Sequence, residues 1–500
     1  MIKKFSKIVI VTIMILLLTA CYSLVWAVPS APPSGGGAPG GNVGSSAPGG
    51  SSSSNVVYTG AATISSDTIN SDSTYSSTTG SQNALLVNGG TSTLTNATVT
   101  KSGDSDGDNA DFYGTNAAVL AYNDATLNLN GVSVTTNGSH ANAVFACGTG
   151  VINITDSLIK TSSNNSGAIM VTGGGTLTAN NVTATTDGNS SAPIRSDRGG
   201  GTLTVNGGAY TSNGVGSPAI YSTADITVNN STLTSTSSEG AVVEGKNSIT
   251  LNNTTLTDTN TTLNGNSETY KNIFLYQSMS GDADVGNSSF TATDSKITTN
   301  KGDTIFVTNT KATISLENND IVNNDNSGAF LRIQSGKWGT SGANGGDVTL
   351  NAKNQIIDGD IFVDDISTLD ISLLNGSDYS GVINSGNSAK TLTITLDSSS
   401  TLTLTGDSYV TTLNNEVTDN SNISLNGHTL YVNGTAITST NYKGAATTSN
   451  SDNTTNTIDN TVTTNEKESR DTRSVIMVIL ASIIVAGVIF YVVKNRKEEL

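Results

Sequence analysis

Residues 126–136 read TLNLNGVSVTT, residues 151–161 read VINITDSLIKT, and residues 176–186 read TLTANNVTATT. Each is apolar, x, apolar, then two turn-forming residues, then small or apolar, x, apolar. Period two on both sides of a tight bend describes two short strands that meet at a corner. The pattern returns in TLTVNGGAYTS (202–212), DITVNNSTLTS (225–235), SITLNNTTLTD (248–258), SFTATDSKITT (289–299) and TISLENNDIVN (313–323).

A second type of segment alternates with the first: NAAVLA (116–121), ANAVFA (141–146), SGAIMV (166–171), SAPIRS (191–196), SPAIYS (217–222), EGAVVE (239–244), KNIFLY (271–276), DTIFVT (303–308) and GAFLRI (328–333). Aligning Val119, Val144, Ile169, Ile194, Ile220, Val242, Ile273, Ile305 and Phe330 gives a step close to 25 residues, with longer steps of 31 and 32. A coil of three short strands and three turns needs about two dozen residues, and a solenoid tolerates longer turns on its surface. The expectation is an all-β, single-stranded, right-handed parallel β-helix. Val119, Val144, Ile169, Ile194, Ile220 and Val242 would form one wall of a narrow aliphatic core.

The bend gives an independent check. Asn130, Thr155, Asn180, Asn206, Asn229 and Asn252 share one corner position, and stacked coils would place them about 4.8 Å apart. Asparagine tolerates the left-handed backbone of a sharp corner, and stacked amides can bond in a ladder. After Phe330 the strands run on less regularly through DVTLNA (347–352) to NISLNGHTLYVNG (422–434), and these are expected to finish and cap the coil, since an uncapped end leaves a free strand edge.

The ends carry different information. Lys3, Lys4 and Lys7 before an apolar run have the layout of a secretory signal peptide over residues 1–27. LTAC (Leu18–Cys21) has the form of a lipoprotein box, with lipidation at Cys21, whereas VWA (Val25–Ala27) suits ordinary cleavage. The apolar run continues past Cys21, which favours the second reading. Residues 28–54, rich in Pro, Gly and Ser, read as a linker, residues 55–440 as the ectodomain, and residues 441–473 as a Thr/Asn/Ser-rich stalk. Residues 474–493 contain an uncharged run, VIMVILASIIVAGVIFYVV, long enough to span a bilayer as one C-terminal transmembrane helix. The basic tail 494–500 places the C-terminus in the cytoplasm and the rest outside the cell. Cys147 is the only cysteine besides Cys21, so no disulfide framework is expected. The 40 acidic residues against 23 basic ones give a net charge of −17, which argues against nucleic acid as a partner.

The succession DFYGTNAAV (111–119), PIRSDRGGGTLTVNGG (193–208), SPAIYSTADITV (217–228), EGKNSITLNN (244–253), YQSMSGDADVG (276–286), LTLTGDSYVTTL (402–413) and LNGHTLYVNG (425–434) resembles a large family of bacterial and archaeal adhesin-like surface proteins. The resemblance implies a pectin-lyase-like right-handed β-helix at the cell surface, mostly without an assigned activity, and fixes no ligand.

Candidate site residues follow from the register. Leu120, Phe145, Met170, Arg195 and Tyr221 stand one residue past the core column, and would form an outward ladder of large side chains, a pattern that marks binding surfaces. An overlying loop that covers the ladder, or a reversed inside/outside assignment of the strand, is the alternative. Arg195, Asp197 and Arg198 admit three readings: a lyase-like base beside calcium, a contact to sugar hydroxyls or a uronate, and an ion pair that closes a turn. The lyase reading lacks a carboxylate cluster on the facing coils, with only Asp187 and Glu244 in reach along the sequence. Asp104, Asp106, Asp108 and Asp111 alternate as carboxylates do in calcium loops, but Gly107 and Thr115 break the EF-hand pattern, which leaves calcium as a possible cofactor beside a solvated loop. Asp282 with Asp284, and Asp364 with Asp365, read as loop charges rather than a glycosidase pair. His140 and His428 have no Cys or His companion for a zinc site. A regular Thr-x-Thr on one face, as an ice-binding surface would need, is missing. The leading expectation is a membrane-anchored adhesin-like protein that binds polysaccharide or another cell surface without catalysis. The alternatives are a polysaccharide lyase or hydrolase and a purely structural stalk.

Overall fold

The computed structural model describes residues 56–264 and 267–437. The signal peptide, Cys21, the linker, the stalk, the transmembrane segment and the basic tail lie outside the described residues. Among the described residues no helix is long and apolar enough to cross a membrane. These residues form an all-β, right-handed parallel β-solenoid of about 15 turns.

One coil shows the plan. β1 (Val119–Tyr122), β2 (Thr126–Asn130) and β3 (Ser133–Thr136) follow one another, and each pairs in parallel with its counterpart in the next coil. We refer to the surfaces built from these three strand types as the first, second and third faces. Strands of the first face make a 12-stranded parallel sheet from Gly60–Ile64 to Ile361–Val363. Alternate residues of all three faces point inward to one continuous aliphatic core, each stacked on like residues above and below, which makes every coil contribute apolar burial to its neighbours. The far end is closed by Leu430–Val432 and Thr435–Ile437, the antiparallel pair that ends the described chain.

The core column runs Val119, Val144, Ile169, Ile194 and Ile220 as expected, then departs by one residue. Ala241, not Val242, pairs with Ile220 and Ile273, and Leu331, not Phe330, pairs with Ile305. Val242 belongs to the outward column, between Tyr221 and Phe274. In EGAVVE and GAFLRI two adjacent apolar residues fit either register, so hydropathy alone could not choose.

The corner column stands as expected, with Asn206 donating to Asn180 Oδ1 at 3.0 Å, Asn229 to Asn206 at 2.9 Å and Asn252 to Asn229 at 2.8 Å. The left-handed residue is the next one. Asp156, Asn181, Asn230 and Asn253 have φ of 49°, 51°, 52° and 47°, and they form a second ladder in which Asn181 donates to Asp156 and Asn253 to Asn230. A strand can continue through the first position and turn only at the second, which is why both favour Asn. A further ladder is buried: the backbone N–H of Thr254 donates to Ser295 Oγ, that of Ser295 to Asn319 Oδ1, that of Asn319 to Gln355 Oε1, and that of Gln355 to Ser377 Oγ. It satisfies interior amides that strand pairing leaves free at the corner.

Threonine is irregular along the chain but ordered in space. Thr178, Thr204, Thr227, Thr250 and Thr291 make one column on the second face over five coils. The neighbouring outward column is broken by Asp225.

Candidate functional site

The outward ladder of the first face is longer than its five expected members. Leu86, Leu120, Phe145, Met170, Arg195, Tyr221, Val242, Phe274, Phe306, Arg332 and Phe362 are successive register partners. Three environments divide it.

Its start is covered. The segment from Gly114 to Ala117, which follows the helix α1 (Gly107–Tyr113), packs on this stretch, where Leu86, Leu120, Phe145 and Met170 are buried. Gly114 makes the close approach possible, because a Cβ there would sit 2.8 Å from the Phe145 ring and its φ is +72°. Asn83 donates to the carbonyls of Gly114 and Ala117, and Asn116 to those of Gly103 and Ser139, which fastens the segment. Leu120, Phe145 and Met170 are therefore packing residues in this state, as the covered-ladder alternative requires. Cys147 is buried at the edge of the same cluster.

The middle is ionic. Arg195 donates to Asp197 Oδ2 at 2.9 Å and to the Ser190 carbonyl at 3.1 Å, with 13% of its side chain and 3% of Asp197's exposed. Burial raises the Asp197 carboxyl to about 6, with Arg195 opposing the rise. Arg198 reaches away from this pair. It donates to Asp282 at 2.6 Å and to Asp108 at 3.0 Å, and its guanidinium lies 3.8 Å from the centre of the Phe112 ring. It thus clasps α1 to the loop that follows Tyr276. Next along the face, Glu244 is buried and accepts from Tyr221 at 2.5 Å, from Tyr276 at 2.8 Å and from Ser278. Burial first, and the Glu244 charge besides, push both phenols well above their ordinary range; Tyr276 adds to the rise at Tyr221, whereas the hydrogen bond with Tyr221 opposes it at Tyr276.

The proposed calcium carboxylates do not converge. Asp104 accepts from the Ser139 amide, Asp106 caps α1 without a side-chain bond, Asp108 pairs with Arg198, and Asp111 with His140 Nδ1 at 2.7 Å. Among the described residues no three His, Cys, Asp or Glu side chains are grouped to hold a metal ion. The Asp111–His140 pair went unseen in the sequence because only the fold brings the two together. Asp284 pairs with Lys246, and Asp187 accepts from Asn213.

The last stretch is aromatic. Phe274 stacks on Tyr276 at 4.4 Å, Phe306 and Trp338 tilt against them, and Arg332 lies over Phe362 while paired with Asp303. Lys271, also buried, pairs with Glu239 and sits 4.4 Å from the Phe274 ring centre.

Replacing Arg198 by alanine removes two part-exposed ion pairs and a ring contact, together worth about 1–2 kcal/mol. Amide exchange in 107–113 is expected to rise about tenfold while β1, β2 and β3 are unchanged. Mass-spectrometric hydrogen exchange measures this, and an unaltered α1 would show that Arg198 fastens nothing. Compared with models of protein families and with curated proteins, the chain matches none.

Proposed function

We propose that this chain is a membrane-anchored, extracellular, adhesin-like solenoid that binds polysaccharide or a cell-surface glycan along its first face and leaves the bound glycan chemically unchanged. The observation that carries this reading is where the long turns go. The steps from Leu85 to Val119, from Ala241 to Ile273, from Ile273 to Ile305 and from Leu331 to Ile361 are the extended ones on the first face. Their extra residues supply α1 and the loops beside Lys271, after Tyr276 and after Ile333, all flanking one sheet. Insertions that gather on one face of a repeat protein build its binding surface. Rings beside hydroxyl, amide and paired ionic groups suit a sugar, which offers both C–H faces and hydroxyls.

Anchoring rests on the apolar run 475–493, and export on the basic and apolar N-terminus. The net charge of −17 disfavours nucleic acid. A base-acting Arg195 would need a neutral guanidine, and Asp197 holds its charge instead. No cofactor enters the proposal, and calcium is left without a role because Asp108 and Asp111 are engaged by Arg198 and His140. The hydrolase alternative rests on Asp197 and Glu244, two buried carboxyl groups two coils apart, about 10 Å along the axis.

The test exposes the full-length chain to neutral and acidic polysaccharides, with calcium or with chelator, and scores retention and released sugar in the same tubes. Retention without product, equal in both buffers, is expected. Product would turn the assignment to the hydrolase or lyase, and no retention on any glycan would turn it to a structural stalk.

A further inference from the structure

We infer that Asn96, Asn181 and Asn230, on the corner between the second and third faces, are acceptors for N-linked glycans. The assignment rests on the export reading above and is independent of the glycan-binding one. Each asparagine opens an Asn-x-Ser/Thr triplet: Asn96-Ala97-Thr98, Asn181-Val182-Thr183 and Asn230-Ser231-Thr232. Such triplets are the acceptor signal for N-linked sugar in exported chains. A chain this rich in Asn and Thr holds many of them, so position has to choose.

The corner chooses by the way it turns. Its left-handed residue, with φ of 54°, 51° and 52° at these three sites, is exposed. The middle residue of each triplet, Ala97, Val182 or Ser231, turns inward and is buried. The threonine that follows opens the third face and is exposed. Asparagine amide and threonine hydroxyl therefore reach solvent on one edge. The triplets that begin at Asn164 and Asn189, on the corner between the third and first faces, differ. Their Ser166 and Ser191 are buried and donate to the carbonyls of Gly138 and Ser163. In a further triplet Asn260 is itself buried.

Room and valence agree with this choice. Neighbouring coils lie only about 4.8 Å apart, too close for a glycan on each. Glycine opens the gaps: Gly131 follows Asn96 in the next coil, and Gly207 separates Asn181 from Asn230. A Cβ at Gly207 would meet nothing nearer than 3.9 Å. Asn253 opens a complete triplet but sits between Asn230 and Asp294 with no such gap, so it is left out. A primary amide carries two N–H bonds. Asn96 donates one to Asp72 Oδ1 at 3.3 Å and Asn181 donates one to Asp156 Oδ1 at 2.6 Å. Asn230 donates neither among the described residues, because Gly207 offers no side-chain acceptor. One N–H is thus left at every site. In the transfer, the amide nitrogen bonds to the anomeric carbon of a sugar carried on a lipid diphosphate. The bond from that carbon to the phosphate oxygen breaks, the lipid diphosphate leaves, and the amide proton passes to a base of the transferring enzyme. The corner ladder keeps its hydrogen bonds. This corner lies opposite the first face, so the glycans leave the proposed binding surface clear.

The test isolates the full-length chain from the cells that make it naturally and locates sugar on its peptides by electron-transfer mass spectrometry. Protease added to the intact cells beforehand scores whether residues 55–440 lie outside. Sugar is expected on Asn96, Asn181 and Asn230 and not on Asn164, Asn189 or Asn260. Thr183→Ala and Thr232→Ala should each lose the sugar of their own triplet, and Thr183→Ser should keep it. These variants leave the asparagine ladder in place, so the loss reports recognition of the triplet. Bare Asn181 and Asn230 in a chain that the protease reaches overturn the assignment while export stands. Sugar on Asn164 or Asn189 in place of these sites, or sugar that persists on Asn181 in Thr183→Ala, overturns it as well. A bare chain that the protease does not reach takes export down with it.

Discussion

Replacing Arg195 by alanine is expected to destabilise the coils around it by about 3–5 kcal/mol, the usual cost of removing one partner of a buried ion pair. The side chain is 13% exposed and ends on Asp197, which is 3% exposed. Alanine would leave that buried carboxyl without its charged partner, with the Arg198 backbone N–H still donating to it at 3.0 Å. A solenoid couples each coil mainly to its neighbours, so the loss is best read locally, by hydrogen exchange over 169–172, 194–196 and 220–222. The double variant Arg195→Met with Asp197→Asn should recover most of the stability, because it removes the charge and its partner together. A single variant as stable as the parent would mean that the pair is solvated and idle. Loss of glycan retention in a fully stable Arg195→Ala protein would instead restore this arginine as a contact.

That contrast shows where sequence reading reaches its limit. Coil architecture, the aliphatic column through Ile220 and the Asn corner are legible because each repeats at a fixed step, and stacking makes the repeat itself a contact. The outward position of Arg195 is legible for the same reason. Its burial is not. It depends on Asp197 and on the covering segments near α1 and after Tyr276, which lie off the repeat. Glu244 with its two phenols, Arg198 with Asp108 and Asp282, and Lys271 with Glu239 likewise join residues whose separation along the chain carries no period. The buried ladder through Ser295, Asn319, Gln355 and Ser377 recurs once per coil, yet three residue types share one role there, so composition hides it.

Asp258 offers the sharpest test of the interior, because it interrupts a buried column of hydroxyls. Thr136, Thr161, Thr186, Ser212, Ser235, Asp258 and Thr299 are successive inward partners on the third face. Thr161 Oγ1 donates to the Ser166 carbonyl at 2.6 Å and Ser235 Oγ to the Ser238 carbonyl at 3.0 Å, so a hydroxyl there closes the following turn. Asp258 is fully buried and accepts only long bonds, 3.2 Å from the Asn300 amide and 3.3 Å from that of Asn260. Burial raises its carboxyl to about 7, whereas an unfolded chain releases the proton near about 4. Between these values the folded chain binds a proton that the unfolded chain has lost. Stability therefore falls as pH rises from about 4 to about 7, and the full cost, of the order of 4 kcal/mol, applies above that window. Asp258→Thr restores the hydroxyl and removes the titration, at the loss of two weak acceptor bonds worth about 1 kcal/mol. The variant should gain about 2–3 kcal/mol over the parent at pH 8 and nothing at pH 4.5. The raised carboxyl of Asp197 titrates in both proteins and cancels in the difference. Lys101, whose ammonium burial lowers to about 8, acts with the opposite sign and only above the window. Melting curves at the two pH values decide the matter: a pH-independent difference, or a variant less stable at pH 8, would mean that Asp258 stays ionised at no cost.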